Sequence, residues 1–130
     1  MTNQVSFFEQ KIQYELDAWD LAEALKRGEN IQVIDTRSKE SFEKEHIAGA
    51  INIHHRIMNS DTTENLDKNT LYVTYCTGVG CNASTTGALN LSKLGFKVKE
   101  LIGGIAWWKR EGYVTEGTQV TAYSEVDCGC

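Results

Sequence analysis

LYVTYCTGVGCNAS, residues 71–84, joins three local patterns in one short stretch. Residues 71–75 are apolar, aromatic or β-branched without a break, the composition of a strand covered on both faces. Cys76 ends that run. Thr77, Gly78, Val79, Gly80 and Cys81 follow as a small loop, and its glycines permit backbone turns that a side chain would block. From residue 82 to 94 the chain reads as a helix, with Asn82 at its N-cap and Ala88, Leu91 and Leu94 on one side. Gly95 closes it, and Leu91 and Phe96 are placed for the contact of a Schellman-type end. Strand, loop and helix in this order form the unit of an α/β domain, in which ligands gather at the carboxyl ends of strands. Cys76 stands at such an end.

The same alternation extends both ways. IQVID (31–35), AINIH (50–54) and VKEL (98–101) read as strands. DAWDLAEALKRGEN (17–30) reads as a helix, with Asp17 as N-cap, Asp20 in the first turn, Leu21 and Leu25 one turn apart, and Gly28 at the end. SKESFEKEH (38–46) is a shorter helix capped by Ser38, with Glu40 and Lys44 as an i, i+4 pair. GGIAWWKREG (103–112) gives a Gly-Gly turn and a helix carrying Trp107 and Trp108. One of the two tryptophans is expected in the core and the other at the mouth of the site. Residues 56–70 are polar and irregular. Strands alternating with helices predict an α/β domain with a mainly parallel sheet. The expected organisation is an N-terminal arm over 1–13, one domain over 14–116 and a polar tail over 117–130.

Composition narrows the function classes. The 130 residues fit one domain with its own core. Lys and Arg number 13 against 18 Asp and Glu, a net charge of −5. That balance argues against non-specific binding to nucleic acid or anionic membrane, which need basic surface. The N-terminus lacks the basic and apolar regions of a signal peptide, and no apolar run approaches the roughly 18 residues that span a bilayer. A cytoplasmic location is expected, where thiols stay reduced. The four cysteines therefore point to reactivity or metal rather than to a structural disulfide framework.

The loop at 76–81 admits several chemistries. Its amides can turn inward as a nest beside the positive end of the next helix. A cysteine there would have its thiolate stabilised and its pKa lowered, an activated nucleophile that needs no neighbouring histidine. Two packing cysteines, a redox pair and a metal site fit the same residues.

The flanking sequence separates these readings. VIDTRSKESFEKEHIAGAINI (33–53) resembles the first signature of the rhodanese (sulfurtransferase) family: Asp-x-Arg after a strand, an acidic residue, then Glu-His-Ile-x-Gly-Ala-x-Asn. LIGGIAWWKREG (101–112) resembles the family's C-terminal signature, and Cys76 stands where the family places its nucleophile. The resemblance covers about 14–116. It implies a three-layer α/β/α fold with a small, mainly parallel central sheet. It further implies that Cys76 takes sulfane sulfur from a small donor, holds it as a persulfide and passes it to a thiol acceptor, small molecule or protein. Thr77, Gly78, Val79, Gly80 and Cys81 would cradle the sulfur through backbone amides. Asp35 and Arg37 match the first signature and would form a hydrogen-bonded scaffold near the strand end, the alternative being a solvated surface pair. His46 matches the family's histidine and is expected buried and satisfied rather than acting as a base. His54 and His55 match no motif. No metal or organic cofactor is implied.

The chain departs from the pattern at one position. Many members end the loop with Arg five residues after the nucleophile, where this chain has Cys81, and no residue in 76–86 is basic. An Arg there would bind an oxyanion bidentately. Related phosphatases and arsenate reductases use Cys-x5-Arg. Asn82 in that sixth position suits a helix cap and argues against phosphoryl transfer, which needs charge stabilisation. Cys81 has two readings. It points into the core at the helix start, or it attacks a persulfide or sulfenate on Cys76 to give an internal disulfide, which requires Cα atoms within about 7 Å. Cys128 and Cys130 form a Cys-x-Cys tail whose spacing is unlike the usual zinc knuckles. Besides the sulfurtransferase, two readings stay open: a catalytically weak binding or regulatory module, and a thiol redox protein using Cys76 and Cys81.

Overall fold

The computed structural model describes residues 3–121. Helix α1 (Asn3–Tyr14) leads into strand β1 (Glu15–Leu16), then α2 (Ala18–Lys26), β2 (Ile31–Asp35), α3 (Lys39–Lys44), β3 (His46–Ile47) and β4 (Ile51–Asn52). A 3-10 turn (His55–Ile57) follows, then β5 (Leu71–Tyr75), α4 (Ala83–Lys93), β6 (Lys97–Leu101), α5 (Gly104–Arg110) and β7 (Thr115–Glu116). The main sheet has the order β1-β6-β5-β2-β4 and is parallel throughout. β3 and β7 form a separate antiparallel pair. Among the described residues, no helix is long and apolar enough to cross a membrane.

Alternation along the central strands builds two cores. Val33, Val73 and Tyr75 face Leu21 of α2 with Ile105 and Trp108 of α5. Ile34 and Tyr72 face Leu91 and Phe96 at the end of α4. The result is an α/β/α sandwich of three layers with β5 at the centre of the sheet.

Local chemistry closes the helices as their sequences require. Asp17 and Asp20 form a capping box on α2. At the end of α4 the Phe96 amide donates to Leu91 O (3.1 Å) and the Gly95 amide to Ser92 O (3.0 Å), the Schellman pair.

The expected strand over 50–54 shortens to two residues. Asn52 turns its Nδ2 onto the carbonyls of Asp35 and Arg37 (3.0 Å each), and the chain bends away into the 3-10 turn. The N-terminal arm is helical, with no buried residue in α1. The tail is held as far as Thr121. Thr118 and Gln119 amides donate to the carbonyls of Glu43 and Lys44 (3.0 and 2.9 Å). Glu45, buried beside them, accepts from Lys109 Nζ (2.7 Å), Thr115 Oγ1 (2.6 Å) and Thr121 Oγ1 (3.0 Å).

A buried polar cluster fixes the carboxyl end of the sheet. Asp35 and Arg37 are 0% and 1% exposed, which excludes a solvated surface pair. Arg37 grips the Asp35 carboxylate with Nε and Nη2 (3.0 and 2.8 Å), and Nη2 also donates to Glu45 O (2.6 Å). Tyr75 OH donates to Asp35 Oδ2 (2.7 Å) and accepts from the Ile47 amide (3.0 Å). Burial, and then the Asp35 charge, push the Tyr75 hydroxyl well above the usual tyrosine range, so it stays a neutral donor.

Two predictions follow from these buried charges. Arg37→Ala leaves the Asp35 carboxylate without its cation and should cost about 3–5 kcal/mol, read from urea unfolding. A loss below about 1 kcal/mol, the range of exposed pairs, would show that the pair is solvated. Burial raises the pKa of Glu45, but hydrogen bonds from Lys109, Thr115 and Thr121 outweigh it and hold the carboxyl below its usual value. The stability it contributes is present above the unfolded carboxyl pKa and is lost as pH falls through the lower folded value. Glu45→Gln should flatten that acid limb of the stability profile, and an unchanged limb would assign it elsewhere.

Candidate active site

Cys76 follows the last residue of β5 and is 1% exposed. Two neighbours hold the chain on either side of it. Thr36, just past β2, donates its amide and its Oγ1 to Tyr75 O (3.1 and 2.8 Å). From the other side the first amides of α5 reach across. Ile105 N donates to Cys76 O (3.0 Å) and Ala106 N to Thr77 O (2.9 Å).

Glycines make this approach possible. Gly104 has φ +59, and a Cβ there would lie 2.4 Å from Cys76 O and 2.7 Å from the Thr77 carbonyl carbon. Gly78 seats its backbone against Ala106, where a Cβ would come within 3.3 Å of the Ala106 Cβ. Gly80 needs freedom for a different reason, a left-handed φ of +93. The Gly103–Gly104 pair, legible in the sequence as a turn, is therefore also the seat of the cysteine loop. Two adjacent glycines before a helix were the available signal, but nothing local names the distant backbone they receive.

The loop residues divide by what their groups do. The Cys81 amide, expected in the sulfur cradle, instead closes the turn on Gly78 O (3.3 Å). Among the described residues, the amides of Gly78, Val79 and Gly80 donate to no acceptor. They lie between Cys76 and the N-terminus of α4, where the helix places positive partial charge. Val79 is 95% exposed at the tip.

Asn82 occupies the N-cap of α4 but makes no side-chain capping bond. Its ψ of 9° departs from the extended conformation that aims a cap side chain at the first turn. Ser84 and Thr85 in that turn instead donate their hydroxyls to Glu100 Oε2 (2.6 and 2.7 Å), while Ser84 O accepts from Thr74 Oγ1 (3.0 Å). These bonds tie α4 to β5 and β6 directly beneath the loop.

The sulfur atoms meet. Cys76 and Cys81 are joined by a disulfide, S–S 2.01 Å, with Cα atoms 6.4 Å apart. Cys81 is half-buried and turned to the Cys76 sulfur rather than into the core at the helix start. This pairing links the buried strand end to the residue that precedes the N-cap of α4.

The remaining candidates lie elsewhere. His46 sits in the β3–β7 pair, half-buried and stacked on Phe42 at 3.8 Å. Its Nδ1 meets Phe42 O (2.7 Å) and its Nε2 meets Glu116 Oε1 (3.2 Å), so both ring nitrogens are engaged. Trp108 is the core tryptophan, with Nε1 donating to Val114 O (2.9 Å). Trp107 is 41% exposed and lies under the Arg110 guanidinium at 4.6 Å. Cys128 and Cys130 lie outside the described residues.

The chain matches known proteins along most of its length. The model described as "Rhodanese-like domain" matches residues 18–111. The thiosulfate sulfurtransferase GlpE of Coxiella burnetii is 36% identical over 96 residues, which is 72% of this chain and 82% of that protein. The BH2092 protein of Bacillus halodurans is 42% identical, with a TM-score of 0.83 over 88% of this chain and 85% of its own. The Alr3790 protein of Anabaena sp. is 31% identical, with a TM-score of 0.72 over 81% of this chain and 94% of its own.

The seat on α5 can be separated from the cost of a left-handed backbone. Gly49 has φ +84 and nothing within 4 Å of its would-be Cβ, whereas the Gly104 position is blocked by the loop. Both alanine variants carry the left-handed penalty, but Gly104→Ala should lose about 1–3 kcal/mol more, the cost of overpacking. It should also change the alkylation rate of reduced Cys76. Equal losses in thermal unfolding and equal alkylation would mean that α5 does not seat the loop.

Proposed function

Because the chain belongs to the rhodanese-like family of sulfurtransferases, we propose that it carries sulfane sulfur as a persulfide on Cys76. One observation supports this most directly. A buried cysteine stands at the carboxyl end of the central strand, beside uncommitted loop amides and the N-terminus of α4. Such surroundings favour a thiolate over a thiol.

The reaction starts from the reduced pair. The Cys76 thiolate attacks the outer sulfur of a sulfane donor. With thiosulfate, the S–S bond of the donor breaks, sulfite leaves with the bonding electrons, and Cys76 holds a persulfide. An acceptor thiolate then attacks the outer persulfide sulfur, and Cys76 departs as the thiolate. The amides of Gly78, Val79 and Gly80 stabilise the sulfur anion at each stage, as fixed dipoles that need no reorganisation. The acceptor is a thiol of a small molecule or a protein.

The donor follows from charge. Residues 76–86 contain no Lys or Arg, so the loop itself offers a dianion only neutral dipoles. A bidentate guanidinium contact would contribute more to a sulfonate-like group than neutral amides do. We therefore place singly charged donors, such as a low-molecular-weight persulfide, ahead of thiosulfate. The name of the Coxiella relative gives thiosulfate as that protein's donor.

Mass spectrometry of the reduced full chain tests the reading. After exposure to cysteine persulfide or thiosulfate, the Cys76 peptide of the Cys81→Ser chain, which cannot close the internal disulfide, should gain the mass of one sulfur atom and lose it to added thiol. Cys76→Ser should reduce both gain and transfer to background. The persulfide donor should act at least about tenfold faster, the equivalent of about 1.4 kcal/mol in the barrier. A reduced wild-type protein that takes sulfur from neither donor would falsify the assignment.

A further inference from the structure

Building on the sulfurtransferase reading, we infer that Cys81 resolves the Cys76 persulfide, so that the chain reduces sulfane sulfur to hydrosulfide. The observation behind this is the direct Cys76–Cys81 bond, with Cα atoms 6.4 Å apart. That separation lies inside the span of about 4.4–6.8 Å in which cysteines pair without backbone movement. The loop between them is held in place independently of the sulfurs. Cys76 O and Thr77 O accept from α5, and the Cys81 amide closes on Gly78 O. The second thiol is thus kept beside the first by backbone contacts that do not require the disulfide.

Access favours the internal thiol. Cys76 is 1% exposed, so an external thiol must enter the loop to reach its persulfide. Cys81 is already there and needs no bimolecular encounter, the advantage of an intramolecular nucleophile. Its place one residue before the N-cap of α4 supports thiolate character as well.

The step balances as a thiol–disulfide exchange. The Cys81 thiolate attacks the inner sulfur of the persulfide, Cys76 Sγ. The bond from Cys76 Sγ to the outer sulfur breaks, and hydrosulfide leaves with the electron pair. The sulfane sulfur gains two electrons, and the two cysteines are oxidised to the Cys76–Cys81 disulfide. Turnover then requires an external dithiol. It attacks the more accessible Cys81 Sγ and expels the Cys76 thiolate into the loop amides. Its second thiol closes on the mixed disulfide, releasing Cys81 as thiolate and leaving the reductant as its own disulfide. Per cycle, one sulfane sulfur and one dithiol become one hydrosulfide and one oxidised dithiol.

A single-turnover experiment on the full chain tests this. Protein is reduced, freed of reductant, and given one equivalent of cysteine persulfide, with thiosulfate in a parallel arm. Hydrosulfide is trapped with a bimane reagent, and the cysteines are mapped by mass spectrometry. Wild type should release close to one hydrosulfide per chain and end with Cys76 bonded to Cys81. Cys81→Ser should keep the extra sulfur on Cys76 and release hydrosulfide at least about tenfold more slowly, the loss of the intramolecular advantage. The mapping in wild type carries the result even if that variant folds poorly. Wild type that retains the persulfide and releases no hydrosulfide overturns the resolving role and leaves the sulfurtransferase reading intact. A disulfide from Cys76 to Cys128 or Cys130, with Cys81 alkylated, overturns the assignment to Cys81. Failure of Cys76 to acquire sulfur from either donor overturns both.

Discussion

The carboxylate of Asp35 is sealed from water, and its partners decide where the sheet ends. An isolated charge in such a place would cost several kcal/mol, so each of its oxygens must be met. Arg37 meets them from the next turn of the chain, and Tyr75 meets them from the neighbouring strand. Tyr75 in turn receives the Ile47 amide, and Arg37 holds Glu45 O. One buried anion therefore registers β2, β5, β3 and the end of α3 against one another. Cys76 is the residue after Tyr75, so its position inherits that registration. Replacing the whole cluster with apolar residues of equal volume could preserve stability, yet it would remove the directional bonds that fix the strand ends.

The loop that follows is held by backbone rather than by side chains. Thr36 fixes the carbonyl before Cys76, and α5 fixes those of Cys76 and Thr77. Carbonyls are taken up by the scaffold, and among the described residues the amides of Gly78, Val79 and Gly80 have no acceptor. The loop also carries no charge, since residues 76–86 contain no Lys, Arg, Asp or Glu. Neutral dipoles stabilise many anions modestly, whereas a cation would select strongly for oxyanions.

Much of this was legible in the chain. The strands over 31–35 and 71–75 match the structure at both ends, because short runs that are mostly apolar, aromatic or β-branched are the mark of a central parallel strand. The capping box of α2 and the Schellman end of α4 were legible because their chemistry is local. The two-residue strands β1, β3 and β7 are too short to show any period. The edge strand over 50–54 was overlong because alternation in sequence does not show that Asn52 bonds back to Asp35 and Arg37. Asn82 has the right residue type for a cap, but its backbone angle disqualifies it. At the site, sequence identified the loop and left the orientation of Cys81 open. A side chain beside a helix start can face core or loop with equal propriety, and only the path of the turn at Gly78 decides. The roles of Trp107 and Trp108 likewise depended on which face of a short helix meets the sheet.

The contact between Gly104 and the carbonyls after Cys76 has a consequence in time. The strand, loop and helix over 71–94 are contiguous and can form early, since local contacts close at little entropic cost. The seat on α5 lies beyond another strand and a further turn. Without α5 in place, the backbone of Cys76 and Thr77 lacks the two amides that hold it. The seat of the loop is thus coupled to closure of the core around Ile105 and Trp108, which lie on the same helix.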